Sequence, residues 1–222
     1  MKHALWLIIL IVLAALIGLL IFDPAVDPDE NGEPVNGNDE ELSVVEALLA
    51  ELPYETTVEG RTIPFDRASV EQAAHEEYAP LPYEVQIGDE TRPVESDMEL
   101  LPGESPLEFT ERFVEASIPP QEELGMYPDT MYRYSVSFYE MDGDEVSAYP
   151  ADDNETAEMA EEGVSAYVRV MNFPDDSIGG NEHRFDFIVS SGGAWVSVWH
   201  GERNFCRRPG NEFWQPANEL CP

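Results

Sequence analysis

The sequence of 222 residues contains very few basic side chains. Eleven lysines and arginines stand against 46 aspartates and glutamates, and Lys2 is the only lysine. A formal net charge of −35 keeps a protein soluble but destabilises its compact state through self-repulsion, which salt screens. The composition is therefore typical of halophilic proteins. It disfavours binding to nucleic acid or to an anionic membrane surface, and it leaves a cationic partner or a divalent cation open.

Cysteine is almost absent as well. The two cysteines, Cys206 and Cys221, both lie in the C-terminal stretch NFCRRPGNEFWQPANELCP. Thiols outside the cytoplasm tend to be oxidised, and a pair with no leftover predicts one disulfide that closes a C-terminal loop. Zinc would need further cysteine or histidine ligands at close spacing, so we expect a structural bridge and no metal at this pair.

The sequence also lacks the short motifs that identify common enzyme classes. It contains no H-E-x-x-H, no G-x-S-x-G, no phosphate-binding glycine loop and no G-x-G-x-x-G after a strand. With 46 carboxylates, pairs at almost any separation arise by chance, so carboxylate-pair hydrolysis is neither supported nor excluded. We therefore expect a noncatalytic protein, and no residue is assigned a catalytic role.

One long apolar run stands near the N-terminus. Residues 4–22 carry no charge and, at about 1.5 Å per residue, form about 28 Å of helix, close to the hydrocarbon thickness of a bilayer. Lys2 precedes the run and acidic residues follow it, so the N-terminus is predicted in the cytoplasm and the rest outside. We predict a single-pass anchor in the cell membrane. The alternative is a cleaved signal peptide, whose apolar region would be shorter and end in an A-x-A-like site.

The chain divides into four predicted regions, of which residues 1–22 are the cytoplasmic stub and anchor. Residues 23–41 carry eight acids, three prolines and no base, which predicts a disordered acidic spacer. Its D-P-D-E-N-G opens like an EF-hand loop, but Asn38 stands where the bidentate glutamate belongs. Residues 42–104 are predicted to be a mixed helical and irregular region, and residues 105–222 a sheet domain with the disulfide-closed loop.

Helical spacing of apolar residues recurs in the predicted exported part. It predicts helices over residues 42–52 and 68–78, and a further short one over 153–162. Asn154 either caps that last helix or accepts an N-linked glycan, since N-E-T fits both roles. The clearest helix begins at Ser105, which forms an S-x-x-E capping box with the glutamate three residues later.

Alternating apolar residues replace the helical spacing in the second half of the chain. Four strands follow from this alternation, at 131–141, 164–173, 182–189 and 194–203. Asp142-Gly143 predicts a hairpin turn into another strand, and the proline-rich stretch 80–102 predicts loop. The predicted fold class is therefore α+β: an N-terminal transmembrane helix, then helices packed on a curved antiparallel sheet that ends in the disulfide-closed loop.

Two segments resemble a known fold family. The helix EFTERFVEAS and the final hairpin RFDFIVSSGGAWVSVW resemble the nuclear transport factor 2-like (cystatin-like) cone fold, over about residues 105–204. The resemblance implies a curved sheet wrapped on helices, sometimes around a pocket. It also implies that membrane-anchored members are often noncatalytic accessory proteins, whereas enzymes of the fold place an Asp–His or similar pair inside the cone. No such pair is carried over here by a motif.

The final hairpin supplies candidate site residues. A turn within SSGG places His183 opposite His200 at the end of an apolar face. On the other face Arg184 meets Trp199 as a cation–π pair, with Asp186 beside them. Two histidines can bind a metal or titrate near neutral pH, or they can simply complete the face at its solvated end.

Three functions fit the sequence. We favour a noncatalytic, extracytoplasmic domain on a membrane anchor that binds a protein or envelope component through an aromatic patch. The predicted members of that patch are Trp195, Trp199, Trp214 and Tyr132. The second is a small-ligand binder or enzyme that uses a cone-fold cavity, with Tyr134, Asp186 or His200 as polar groups. The third is a divalent-cation binder, with calcium held by the acidic loops 141–145 or 175–182. No other cofactor and no oligomeric state is indicated.

Overall fold

The computed structural model describes most of the chain that follows the predicted spacer. The described residues are 42–87, 90–94, 98–118, 132–149, 162–173, 177–208, 211–219 and 221. The predicted membrane anchor and the acidic spacer therefore lie outside them. Within the described residues, no helix is both long enough and apolar enough to cross a membrane.

The described residues contain ten strands and three α-helices. The strands are β1 Tyr54–Val58, β2 Arg61–Arg67, β3 Ala79–Pro80, β4 Tyr83–Ile87, β5 Glu90–Val94, β6 Arg133–Glu140, β7 Gly163–Met171, β8 Ile178–Val189, β9 Trp195–Arg208 and β10 Asn211–Pro216. The helices are α1 Val44–Ala50, α2 Pro106–Ser117 and α3 Gly143–Ser147, and one turn of 3-10 helix spans His75–Glu77. The β-branched and aromatic residues of β6 to β9 favour these four longest strands.

Eight of the described strands form one sheet. Its order is β1-β2-β6-β7-β8-β9-β10, and β3 pairs with β9 beside β10. Neighbouring strands are antiparallel except β2 and β6, which are parallel, with Phe65 opposite Val136. Strands β4 and β5 form a separate antiparallel pair. Strands from both sides of the predicted boundary at residue 104 thus belong to the same sheet.

The predicted α+β fold class, with helices packed on an antiparallel sheet, is wrong. The described part of the chain is mostly β-sheet, its strand directions are mixed, and only α2 is longer than seven residues there. The predicted helix over 68–78 is an extended segment with one 3-10 turn, and the predicted loop over 80–102 contains β4 and β5. The predicted turn at Asp142 is instead the start of α3, because its carboxylate accepts from the N–H groups of Asp144 and Glu145 at 3.0 Å.

Other local predictions are confirmed. Helix α1 lies within the predicted segment 42–52, and β6 to β9 correspond to the four predicted strands. Ser105 caps α2: its hydroxyl accepts from the N–H of Glu108 at 3.3 Å, and its own N–H donates to the Glu108 carboxylate at 2.8 Å. Cys206 and Cys221 form the predicted disulfide.

The hydrophobic core lies between α2 and one face of the sheet. Phe109 of α2 contacts Phe185 and Phe187 of β8 edge-to-face, with ring centroids 5.1 and 5.3 Å apart. Val114, one turn further along α2, is fully buried in the same cluster. Because successive side chains of a strand point to opposite faces, the even-numbered residues of β8 point away from this core.

Replacing Ser105 with alanine should lower the free energy of unfolding by about 1 kcal/mol, because the N–H of Glu108 loses its acceptor. Denaturant unfolding of the oxidised chain measures the change. Ser117→Ala is the matched control, since that hydroxyl donates to the carbonyl of Phe113 at the other end of α2 and caps no N–H. An equal loss in the control would contradict a specific capping effect.

Candidate functional site

A buried cluster of charged residues occupies the face of the sheet opposite α2. Glu182, Arg184 and Asp186 are alternate, fully buried residues of β8, and Arg203 of β9 is 4% exposed. Charges this far from water are tolerated only when they are paired and hydrogen-bonded. The charged cluster therefore depends on its internal contacts, and these fall into two groups.

Asp186 is the centre of the first group. Its Oδ1 accepts from Ser165 Oγ at 2.6 Å and Arg184 Nε at 2.9 Å; its Oδ2 accepts from the Tyr149 hydroxyl and lies 2.6 Å from His75 Nε2. Burial alone would raise the pKa of Asp186, but hydrogen bonds from His75 and Arg184 outweigh it and lower the pKa. Burial and the neighbouring carboxylate raise the pKa of Tyr149. Asp186 is thus a carboxylate that holds the imidazole of His75 in place.

Glu182 is the centre of the second group. Its Oε1 accepts from the hydroxyl of Tyr78 at 2.6 Å and from Arg203 Nε at 2.9 Å. Its Oε2 accepts from Arg169 Nε at 2.7 Å. Burial, followed by the charge of Glu182, raises the pKa of Tyr78, so the phenol stays protonated and donates. Two guanidinium groups and one phenol therefore saturate this carboxylate with charge-assisted bonds.

Residues 68–80 lie over the charged cluster, and we call them the covering segment. Glu71 pairs with Arg184, and Glu77 pairs with Arg203 at 2.8 Å. His75 and Tyr78, described above, belong to the same segment. These contacts explain why the predicted helix does not form here, because the acidic side chains bond to arginines of the sheet and so cannot line one helical face.

His183 and His200 lie on the core face, beside α2. His183 Nδ1 is 3.3 Å from His200 Nε2. The two residues are diagonal neighbours, since β9 carries a bulge at Val198 and His200 pairs with Phe185. The predicted register of the hairpin was therefore wrong, by one residue before the bulge and by two after it.

The two histidine rings are partly buried, and the side chain of His183 is 15% exposed. Burial lowers the pKa of both, and the neighbouring His183 helps to lower the pKa of His200 to about 3. The ring of His200 stacks on Phe185 with centroids 4.0 Å apart. In the part of the chain that the structure describes, no three His, Cys, Asp or Glu side chains group closely enough to hold a metal.

The residues of the predicted aromatic patch lie on both faces of the sheet. Trp195 packs on the same hydrophobic cluster as α2, whereas Trp199 and Trp214 contact residues of the charged cluster. Trp199 meets the ring of His75 edge-on, with centroids 4.5 Å apart. The predicted cation–π pair is confirmed, because Arg184 Cζ lies 5.8 Å from the centroid of Trp199. The three tryptophans therefore do not form one continuous surface.

Tyr134 lines a cavity of about 270 Å³ near the C-terminal end of α2. The other lining residues are Ser117, Tyr132, Val170, Phe173, Asn181 and His183. Oδ1 of Asn181 is buried and has no hydrogen-bond partner among the described residues, and burial raises the pKa of Tyr134. Asp186 lies on the opposite face of the sheet, so the polar groups predicted for a ligand pocket do not converge in this cavity.

A groove of about 540 Å³ runs along the first half of β9, and we call it the β9 groove. It is lined by Leu81, Met98, Glu99, Leu100 and residues 195–200. Val196 is 41% exposed in it. The strand segment W-V-S-V-W carries no charge, in a chain in which 26% of residues are charged. The groove thus places several apolar side chains, with Glu99 as the one charged lining residue, at the surface of a strongly acidic protein.

Within the described residues, the backbone of β9 is paired on one side only along this groove. Strand β8 pairs with β9 from Trp195 to Cys206, but on the other side β10 covers residues 203–208 and β3 covers residues 201–202. Among the described residues, no strand pairs with that other side of residues 195–199. An uncovered strand edge is a template for another chain, and proteins normally cover it or place charges on it.

Sequence reasoning missed the covering segment and the β9 groove. The uncharged alternation W-V-S-V-W was the available signal for the groove, but which side of the strand stays open depends on distant segments. Asn154 and the predicted helix over 153–162 lie outside the described residues, as does part of the acidic loop 175–182. The other acidic loop, 141–145, forms the start of α3.

Comparison with known proteins does not assign the chain to a family. No family model, no curated protein and no solved structure matches the chain. The resemblance to the nuclear transport factor 2-like cone fold therefore stays a prediction.

Proposed function

We propose that this chain is a membrane-anchored, extracytoplasmic, noncatalytic protein whose folded domain binds a protein partner in the β9 groove. The observation that carries the proposal is the uncovered side of residues 195–199. Backbone groups that no described strand pairs with and the exposed side chain of Val196 lie together there, so one partner would contact both. Exposed apolar side chains beside an unpaired strand edge are characteristic of protein interaction sites.

We assign the charged cluster a structural role, because it fixes one wall of the groove. The covering segment ends next to Leu81, which lines the groove and whose N–H donates to the carbonyl of His200 at 2.9 Å. Glu182 and Asp186 already accept bonds from several donors each. The pairs of Glu71 with Arg184 and of Glu77 with Arg203 hold the covering segment against the sheet and so keep Leu81 beside β9.

The predicted location rests on both ends of the sequence. The uncharged run of residues 4–22 has the length of a membrane span and is flanked by charges of the expected sign. At the other end, Cys206 is fully buried and bonded to Cys221, and disulfides persist mainly in oxidising compartments. Both features favour export of the folded domain.

Site-specific photocrosslinking tests the proposal. The full-length chain carries p-benzoylphenylalanine in place of Val196, and it is irradiated in the membranes of cells that naturally make it. We expect one defined covalent adduct with another protein, because Val196 is exposed inside the proposed binding groove. Mass spectrometry of the adduct identifies the partner.

Val70 is the matched control position. It is also an exposed valine, 68% accessible, but it belongs to the covering segment and does not line the groove. We expect at least about tenfold less adduct from position 70, since a factor of ten corresponds to about 1.4 kcal/mol of binding preference. Equal yields at the two positions, or no adduct at position 196, would overturn the proposed function.

A further inference from the structure

We infer that the partner binds as an extended strand that pairs with the open side of β9 at Trp195 and Ser197, and that this strand is flanked by lysine or arginine. The inference rests on the proposed function and specifies how the β9 groove is occupied. It follows from the direction of the backbone groups, from the side chains of the groove and from the charge of the chain.

Among the residues that the structure describes, the backbone of β9 has unpaired hydrogen-bonding groups at alternate residues. Val189 of β8 sits opposite Trp195, yet its N–H donates to the carbonyl of Glu162 on the far side, at 2.9 Å. This pair is therefore not hydrogen-bonded, and the N–H and C=O of Trp195 point away from β8. Alternation gives the same direction to Ser197 and the opposite direction to Val196. Two donors and two acceptors thus face the groove.

The neighbouring backbone shows that this side of β9 accepts a paired chain. The carbonyl of His200 points the same way and accepts from the N–H of Leu81 at 2.9 Å. Strand β3 continues the pairing at residues 201–202. A strand from another protein would therefore extend an existing row of bonds towards the SSGG turn, by strand addition to a sheet edge.

The side chains of the groove define the partner's pairing residues. A strand on the open side of β9 lies about 4.8 Å from it and spans about 3.3 Å per residue. Leu81, Met98 and Leu100 would face it from the groove wall, and Val196 from β9 itself. The side chains of the partner that contact these residues are therefore apolar, whereas its backbone provides most of the bonds.

Charge selects the class of partner. The chain carries a formal charge of −35, and Glu99 lies in the groove lining. The palindrome W-V-S-V-W would also allow two copies of the chain to pair about a two-fold axis. Two such copies repel each other, whereas a segment with basic flanks is attracted and steered to the groove. The occupant is accordingly a basic, extended segment of a different protein.

Ser197→Pro tests strand addition directly. Proline removes the outward N–H and places its ring at the pairing edge, but proline is tolerated in edge strands where the N–H faces solvent. With the photocrosslinker at position 196 of the full-length chain, we expect Ser197→Pro to lower the adduct yield at least about tenfold. Ser197→Thr keeps the N–H and is expected to retain the yield. Unfolding midpoints establish that both variants fold.

Hydrogen exchange provides a second measurement that does not depend on the proline variant. In the crosslinked adduct, the amides of Trp195 and Ser197 should exchange at least about a hundredfold more slowly than in the free chain, because they become hydrogen-bonded. Peptide mapping of the adduct should locate a basic residue within a few positions of the crosslinked segment.

The outcomes separate the inference from the proposed function. Loss of adduct in Ser197→Pro with retention in Ser197→Thr supports strand addition. Equal yields in folded Ser197→Pro, or unchanged amide exchange, would overturn strand addition and leave a groove-binding partner. An adduct of twice the chain's mass would assign a second copy and overturn the basic partner, and no adduct in the parent chain would overturn the proposed function itself.

Discussion

Replacing Arg184 with methionine is expected to lower the free energy of unfolding by about 3–5 kcal/mol, the usual effect of removing one partner of a buried ion pair. Arg184 is fully buried and donates to Asp186, Glu71 and the carbonyl of Ala73. Methionine fills similar space but leaves the buried Asp186 carboxylate without its guanidinium. Denaturant unfolding of the full-length, oxidised chain in high salt measures the difference.

Arg67→Met is the matched control for burial. Arg67 also forms an ion pair, with Glu140 at 2.7 Å, but the two side chains are 53% and 47% exposed. Exposed pairs contribute about 0–1 kcal/mol, so the control should change little. Adding Asp186→Asn to Arg184→Met should recover part of the loss, because a neutral amide is less costly to bury than a carboxylate. Similar losses for Arg67→Met and Arg184→Met would show that burial of the charged cluster is not the cause.

The folded chain is also expected to lose stability as the pH falls below about 6.5, and His200 contributes directly. Burial and His183 lower the pKa of His200 to about 3, whereas an unfolded histidine titrates at about 6.5. Above pH 6.5, about the unfolded value, both states are neutral at this residue. Below it, the unfolded state binds a proton that the folded state does not. Each pH unit then costs up to about 1.4 kcal/mol, or about 3 kcal/mol by about pH 4.

His200→Phe should remove this contribution, because a phenyl ring can stack on Phe185 without titrating. The difference between variant and parent at about pH 7, 5.5 and 4 isolates His200, since all carboxylates are common to both proteins. Asp186 acts at lower pH: its lowered pKa stabilises the fold above the unfolded value of about 3.9, and this is lost as pH falls through the folded value. Identical pH profiles would contradict a neutral, partly buried His200.

The confirmed predictions rest on sequence patterns that lie within a few residues, or on residue types so rare that only one pairing is possible. The capping box of Ser105 and Glu108 is complete within one helical turn. The disulfide could be predicted because the chain has two cysteines and therefore one possible intramolecular pair. The contact of Arg184 with Trp199 was predicted correctly although the predicted register was wrong. Both residues lie on the same face of the sheet, where they are diagonal neighbours.

The failed predictions concern partners that are distant in the sequence. The covering segment has helical spacing, but Glu71 and Glu77 pair with Arg184 and Arg203, more than one hundred residues later by their numbering. No local sequence pattern predicts these ion pairs, and they outweigh the weak helical preference of the segment. The bulge at Val198 lacks a glycine signal, so the register error followed. The β9 groove depends on where β3 and β10 end, which alternation within β9 does not encode.

The parallel pairing of β2 with β6 also orders the steps by which the sheet can assemble. Strands β6 to β9 each pair with the strand that follows them in the chain. The hairpin of β1 and β2 is synthesised earlier, but β6 is its neighbour in the sheet and follows only at residue 133. In the export direction proposed here, this hairpin crosses the membrane first, and the other edge of β2 stays unpaired until β6 follows. In that direction, the first strands to leave the cytoplasm join the sheet only after a much later part of the chain has followed them.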